Sequence, residues 1–264
     1  MTIDVNVYLS RWPFRRLPDD ETPRLVRRLR SGKVTGAWAG SFDGLLHKDV
    51  AAVNARLVKE CRRHGEGLLI PFGTINPTLP DWQEDLRRCH ERHHMPGIRL
   101  HPNYHGYRLD DPVCAELLGQ AEKRNLIVQL VVKMEDERTQ HPLLKVPAVE
   151  TTPIVKLLPR FPRLRIVLLN SLRTLRSAGL KRLATAGRVW FDIAMQEGVG
   201  GVGKLAKTVP VDRVLFGSYA PFFYFESARL KITEAALTEK QTAAILRGNA
   251  GKLIDRADHE KPGG

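Results

Sequence analysis

The chain has 264 residues and carries 42 Lys and Arg against 29 Asp and Glu, a formal charge of +13. Hydrophobic residues at 42% and charged residues at 27% exclude a wholly disordered chain and leave ample material for a core. No apolar run approaches the roughly 18 residues that a membrane span needs, so no membrane association is expected.

The predicted elements alternate. Ile3–Leu9 reads as a strand, and Glu21–Arg30 as a helix with Leu25, Val26 and Leu29 on one side and Gly32 past its end. Val34–Ala39 is the second strand, followed by a helix over Asp49–Arg63. Gly67–Ile75 precedes a helix over Asp81–His93 that opens on a capping Asp. Gly97–Leu100 precedes Pro112–Arg124, whose Pro sits in the first turn, where its missing N–H costs nothing. Strands follow at Leu126–Val132 and Leu164–Leu169, then a helix over Asn170–Ala186. Val189–Ala194, a helix at Gly203–Val209, Val214–Phe216 and a helix at Thr238–Arg247 complete the series. Thr238 with Gln241 forms a capping box, and Gly248 is expected to close that last helix.

The apolar runs are continuous rather than alternating, as parallel strands buried on both faces require. Eight strand–helix alternations in about 250 residues predict an α/β protein, a single (β/α)8 TIM barrel. A doubly wound sheet accounts for only about six strands. No Pro/Gly/Ser-rich linker divides the chain, so residues 1–256 read as one barrel domain and 257–264 as a flexible C-terminal tail.

Cys61, Cys89 and Cys114 are odd in number and lack a CxxC pair, which argues against a disulfide scaffold and a zinc ribbon. The start, Met1-Thr2-Ile3-Asp4, has no basic segment before its apolar run, so a cytoplasmic protein without a secretory signal is expected. Basic residues lie along helices, as in Arg24, Arg27, Arg28 and Arg30, and read as a solvated face. With no basic tail and no aromatics between the basic residues, no nucleic-acid partner is expected. The sharper reading is that the field draws a small anionic molecule into a cleft.

In a barrel the chemistry sits at the C-terminal ends of the strands. That places Cys89, His90, His93 and His94 on the wrong end, despite metal-like spacing, and His64 with them. His47 follows the second strand without a partner nearby. His101 ends the fourth strand with Arg99 on the same side, and His105 follows. The loop after the fifth strand carries Lys133, Glu135, Asp136, Glu137, Arg138 and His141, a substrate-orienting set or a solvated ion-pair loop. Gly198–Lys204 matches most of a phosphate loop, but Leu205 stands where Ser or Thr would hold magnesium. Nucleotide hydrolysis is therefore not expected, while an anion contact stays open.

Four motifs in order resemble the amidohydrolase-2 group of the metal-dependent amidohydrolase superfamily. Ile3-Asp4-Val5-Asn6-Val7-Tyr8 resembles the opening Asp-x-His-x-His strand. Gly97–Pro102, with Leu109-Asp110-Asp111-Pro112 after it, resembles the fourth strand. Asp212–Phe222 resembles the strand 8 signature, and Gly248-Asn249-Ala250 the closing motif. The resemblance implies a divalent metal held by two opening histidines, a strand 8 aspartate and histidines after strands 5 and 6. Here those positions carry Asn6, Tyr8, Tyr219, Val131 or Val132, and Asn170-Ser171, so no metal and no other cofactor is expected.

Two readings follow. One is a metal-independent hydrolase acting on a small carboxylate-bearing lactone or amide. His101 or Asp136 would activate water, and Tyr8 or Tyr219 would donate to the oxyanion. Arg99 or Lys133 would clamp the carboxylate, with Asn6, Arg138, His141 and Asn170 as further substrate contacts. The other is a degenerate member that binds a small ligand or a partner without turnover.

Overall fold

The computed structural model describes residues 1–259, with side chains through Ile254. Eight strands form one sheet in sequence order, and every neighbouring pair is parallel. They are β1 (Thr2–Leu9), β2 (Val34–Ser41), β3 (Leu69–Thr74), β4 (Gly97–Leu100), β5 (Ile127–Val131), β6 (Arg165–Leu169), β7 (Arg188–Asp192) and β8 (Val214–Leu215). The sheet closes on itself: Val5 N donates to Phe216 O at 2.9 Å, Tyr8 N to Ala220 O at 2.9 Å and Tyr219 N to Asn6 O at 2.8 Å. The fold is thus the (β/α)8 barrel that the alternation predicts.

The helices are α1 (Thr22–Ser31), α2 (Val50–Gly65), α3 (Trp82–Arg87), α4 (Pro102–His105), α5 (Pro112–Lys123) and α6 (Thr152–Leu157). After them come α7 (Ser177–Ala186), α8 (Gly201–Thr208), α9 (Phe225–Thr233), α10 (Glu239–Ala243) and α11 (Asn249–His259). None of them is long and apolar enough to cross a membrane, among the described residues.

Strand periodicity divides the core in two. Ile98, Leu100, Val128, Leu130, Ile166 and Leu168 point outward and pack under the helices. Trp38, Phe72, Ile127, Val167, Trp190 and Leu215 point inward and fill the barrel. β1 is irregular: Asp4 pairs with Ala37 and Val7 with Ala39, so three steps of β1 span two of β2. Such a bulge re-aims side chains, and it sits beside Asn6.

Three elements differ from expectation. α7 starts at Ser177, not Asn170, because Asn170 adopts φ 57° and its side chain and N–H are bonded across the mouth. Gly248 does not end a helix. The chain passes through a wide turn, Ala244–Gly248, into α11, and Asn249 Nδ2 latches onto Val211 O and Val214 O, both at 2.8 Å. That α11 continues to His259, past the Ala257 at which the tail was expected to begin, while residues 260–264 lie outside the described residues. The short α4, α6 and α9 carry too little apolar period to be read from sequence.

Candidate ligand site at the barrel mouth

The strand ends bring Asn6 and Tyr8 from β1, His101 after β4, Asn170 after β6, Asp192 from β7 and Tyr219 after β8 to one end of the barrel, all buried. Two networks organise them. In the first, Tyr8 Oη lies 2.9 Å from His101 Nε2, and Tyr219 Oη donates to Met134 O at 2.8 Å. The Met134 sulfur lies 3.7 Å from Tyr8 Oη and 3.6 Å from Tyr219 Oη. In the second, Asn6 Nδ2 donates to Asn170 Oδ1 and to Asp192 Oδ2, both at 2.8 Å. Asn170 N donates to Asp192 Oδ1 at 2.8 Å, and Asn170 Nδ2 to Lys133 O at 2.9 Å.

Electrostatics follow from burial. Tyr8 is pushed up to about 12 and Tyr219 well above the usual phenol value, both chiefly by desolvation. His101 is driven well below 6.5 by burial and by His105 and Arg99 nearby, so it is neutral at physiological pH. Burial raises Asp192 to about 6 against the hydrogen bonds from Asn6 and Asn170. Asp4, beneath, is raised to about 7 by burial, although its Oδ1 accepts from Asn6 N and Ser218 N at 3.1 and 2.9 Å. Asp4 Oδ2, Asn6 Oδ1 and His101 Nδ1 have no protein partner.

An aromatic layer covers this centre. Tyr8 stacks on Phe42 at 4.6 Å between centroids and meets Tyr219 edge-on at 5.7 Å. Trp12, from the loop after β1, packs edge-on against Phe42 and Phe222. Arg15 lies over Phe222 and bonds the buried Glu135 at 3.0 Å, tying the β1 loop to the β5 loop. What remains near His101 is a cavity of about 10 Å³, lined also by Asn103, Tyr104, Lys133 and Met134.

Arg99 is corrected from its expected role. It is wholly buried inside the barrel, 4.4 Å beneath the Tyr8 ring. Its Nε donates to Gln129 Oε1 at 2.8 Å, Nη1 to Val7 O at 2.8 Å and Nη2 to Trp38 O at 2.9 Å. With its donors so engaged it braces β1, β2 and β5 and meets no open space. Gly40 makes room for it, since a Cβ there would stand 2.6 Å from Nη1.

Asp136, Arg138 and His141 also lie away from the centre. Asp136 pairs with Arg138 at 2.9 Å and Arg173 at 2.8 Å, which hold its carboxyl well below the usual range. It is thereby a poor base. Arg138 is exposed, and His141 stacks on Phe14 at the rim. Lys133 is closer: it lines the cavity with His101 and reaches Glu137 at 3.4 Å. Sequence reasoning missed Asp192 and Met134. Asp192 ends β7 in phase with the inward Trp190, a signal available in advance, whereas Met134 carries none. Among the described residues no three His, Cys, Asp or Glu side chains gather in a way that could hold a metal ion.

A barrel of this kind with its polar strand ends gathered at one mouth is the frame of a large enzyme class. The amidohydrolase family model matches residues 13–256, and the chain belongs to that family. The match begins after β1, so Asn6 and Tyr8 fall outside it. The chain is similar in fold to 2,6-dihydroxybenzoate decarboxylase from Rhizobium, at 14% identity over 97% of this chain and 99% of that one, with TM-score 0.71. It is similar to 5-carboxyvanillate decarboxylase from Sphingomonas paucimobilis, at 14% identity over 96% and 98%, with TM-score 0.74. A dihydroxybenzoic acid decarboxylase from Polaromonas, solved with manganese and 2-nitroresorcinol, matches at 12% identity over 96% of each chain, with TM-score 0.76. No curated protein matches the chain in sequence.

Proposed function

We propose that this chain is a non-catalytic member of the amidohydrolase family that binds a small anionic molecule without turning it over. What supports the absence of turnover is the closure of the mouth on itself; what supports an anion is Lys133 beside the cavity of about 10 Å³, which must widen to admit one. Tyr8 is engaged with His101, Asn6 with Asn170 and Asp192, Tyr219 with Met134, and Arg99 with carbonyls. The family resemblance implies a divalent metal here, and the similar decarboxylase from Polaromonas was solved with bound manganese. The donors present do not fit one. Asn6 and Asn170 are neutral amides already bonded to oxygen acceptors, and a phenol at about 12 offers no anion at neutral pH. Zinc and manganese favour imidazole and carboxylate. No step of this reading runs through a metal.

One observation favours a second reading, metal-independent hydrolysis of a lactone or amide. His101 is neutral, its Nδ1 is unpartnered, and it lines a cavity of about 10 Å³ with Lys133, room for one water. With Nε2–H donating to Tyr8 Oη, the bare Nδ1 accepts a proton from that water, as a weak base because burial holds it well below 6.5, with the ammonium as the anion contact. The test is metal analysis of protein purified without chelator, with assays on lactones, amides and aromatic carboxylates, each with and without chelator. The binding reading expects no stoichiometric metal, no turnover and saturable binding of an anion. Turnover that survives chelation and is lost in His101→Gln establishes the second reading instead. Stoichiometric metal with chelator-sensitive turnover overturns both.

A further inference from the structure

A second recess lies outside the mouth, between the C-terminal ends of β1 and β2, the start of α1, and α2. Its volume is about 300 Å³, the size at which small-molecule sites begin. Helical period sets one wall: Arg56, Lys59, Glu60 and Arg63 fall on one face of α2. Leu9 and Leu57 supply apolar lining.

The charges in this recess are unequally committed. Arg56 Nη2 pairs with Asp43 Oδ2 at 3.2 Å, and Glu60 lies 3.7 Å from His64 Nε2. Ser10 and Ser41 accept from Asp43 N at 3.1 and 3.2 Å, so they hold Asp43 in place. Lys59 and Arg63 are exposed and, among the described residues, have no ion-pair partner. Thr22, the first residue of α1, also lines the recess. The α1 N-cap is itself acidic, Glu21, which lies 3.8 Å from both Arg11 and Arg16, so the helix start is not an unopposed positive end and the recess draws its positive charge from α2.

We propose that this recess binds a small phosphate monoester, with Lys59 and Arg63 on the phosphate and the Leu9–Leu57 lining under the carbon skeleton. Two uncommitted cations match a dianion. The guanidinium adds a planar fork suited to phosphate oxygens. The Asp43 and Glu60 carboxylates stand against a bulky polyanion and favour a single phosphate flanked by hydroxyls. This site is separate from the mouth and does not rest on the reading proposed for it.

The test is calorimetric titration of the full chain with glycerol 3-phosphate, inorganic phosphate and succinate. The parent is compared with Lys59→Gln/Arg63→Gln and with Lys181→Gln/Arg182→Gln, an equal charge change on the exposed face of α7. Thermal melts confirm that each variant is folded. The expected result is saturable binding of glycerol 3-phosphate, tighter than of inorganic phosphate or succinate. That binding weakens about tenfold or more in the α2 variant and is unchanged in the α7 variant. Equal weakening in both variants reduces the effect to overall charge and overturns the site. Succinate or inorganic phosphate binding as tightly as the ester overturns the ligand class, and no saturable binding of the ester overturns the proposal. None of these outcomes alters the turnover assays that test the mouth.

Discussion

Replacing Arg99 by Met removes a guanidinium that joins three strands from inside the barrel. Met retains the straight chain but leaves Gln129 Oε1, Val7 O and Trp38 O without their donors. An unpaired buried acceptor costs about 1–3 kcal/mol, and three are affected. Part returns, because a buried guanidinium itself carries a desolvation penalty that the variant escapes. The balance is a loss of about 3–5 kcal/mol, which for a chain of this length lowers Tm by roughly 10 °C. Arg99→Lys falls between parent and Met, since one ammonium cannot span three acceptors set for a planar fork. Gly40→Ala presses a Cβ to within 2.6 Å of Nη1 and costs about 1–3 kcal/mol by overpacking. Combined with Arg99→Met the contacts with Nη1 and Cζ vanish and only the one at 2.8 Å, where Met Sδ replaces Cδ, remains, so the double variant loses less than the two losses added. Thermal and urea unfolding of the four proteins, with anion titrations alongside, measure each term. If Arg99→Met melts with the parent yet loses affinity for the anion, Arg99 is a ligand clamp and the structural reading is wrong. Strict additivity with Gly40→Ala removes the proposed contact.

A pH prediction concerns Asp4. Burial raises it from 3.8 to about 7, so the folded chain holds a proton that the unfolded chain releases. Its contribution to stability is full below 3.8 and is lost as pH rises through about 7. His101, held neutral, acts oppositely and loses stability as pH falls through its ordinary 6.5. Asp4→Asn isolates the first term: its stability relative to the parent should improve by up to a few kcal/mol as pH rises from 3.8 to about 7 and then level off. A pH-independent difference in urea unfolding would contradict the raised carboxyl. Tyr8→Phe deprives His101 Nε2 of its 2.9 Å partner and should cost about 1–2 kcal/mol. A variant as stable as the parent would mean that water replaces the hydroxyl and that the mouth is less sealed than drawn.

The barrel was legible because parallel strands buried on both faces write themselves as unbroken apolar runs. The apolar run Gly97–Leu100 coincides with β4, and the other seven runs match their strands within about two residues at each end. Helices were legible where an apolar stripe was strong, as in α1 with Leu25, Val26 and Leu29. α9 buries only Phe225, Ala228 and Ile232 among charged neighbours, and no window over it stands out. The sequence pattern starts α7 seven residues too early for a different reason. Asn170 belongs to the mouth, where its left-handed backbone and its bond to Asp192 override the helical pattern that follows.

Direction is what alternation along a strand provides, and depth is what it leaves out. Asn6 and Tyr8 in the C-terminal half of β1, His101 just after β4 and Tyr219 shortly after β8 are legible as one group because all lie toward the C-terminal ends of their strands. Arg99 shares their phase but lies two residues below His101, about 6.6 Å along the strand. That drop puts a guanidinium under the Tyr8 ring instead of in a pocket. Loop side chains have neither phase nor depth in the sequence. Asp136 and Arg138 looked equally suited to a substrate or to each other until Arg173, from the loop after β6, completed their ion pairs. Met134, Phe42 and Trp12 fill the mouth from three different loops, and nothing in their spacing announces it. The same side chains that could line an open pocket therefore close this one, and the difference rests on loop packing that only the assembled barrel defines.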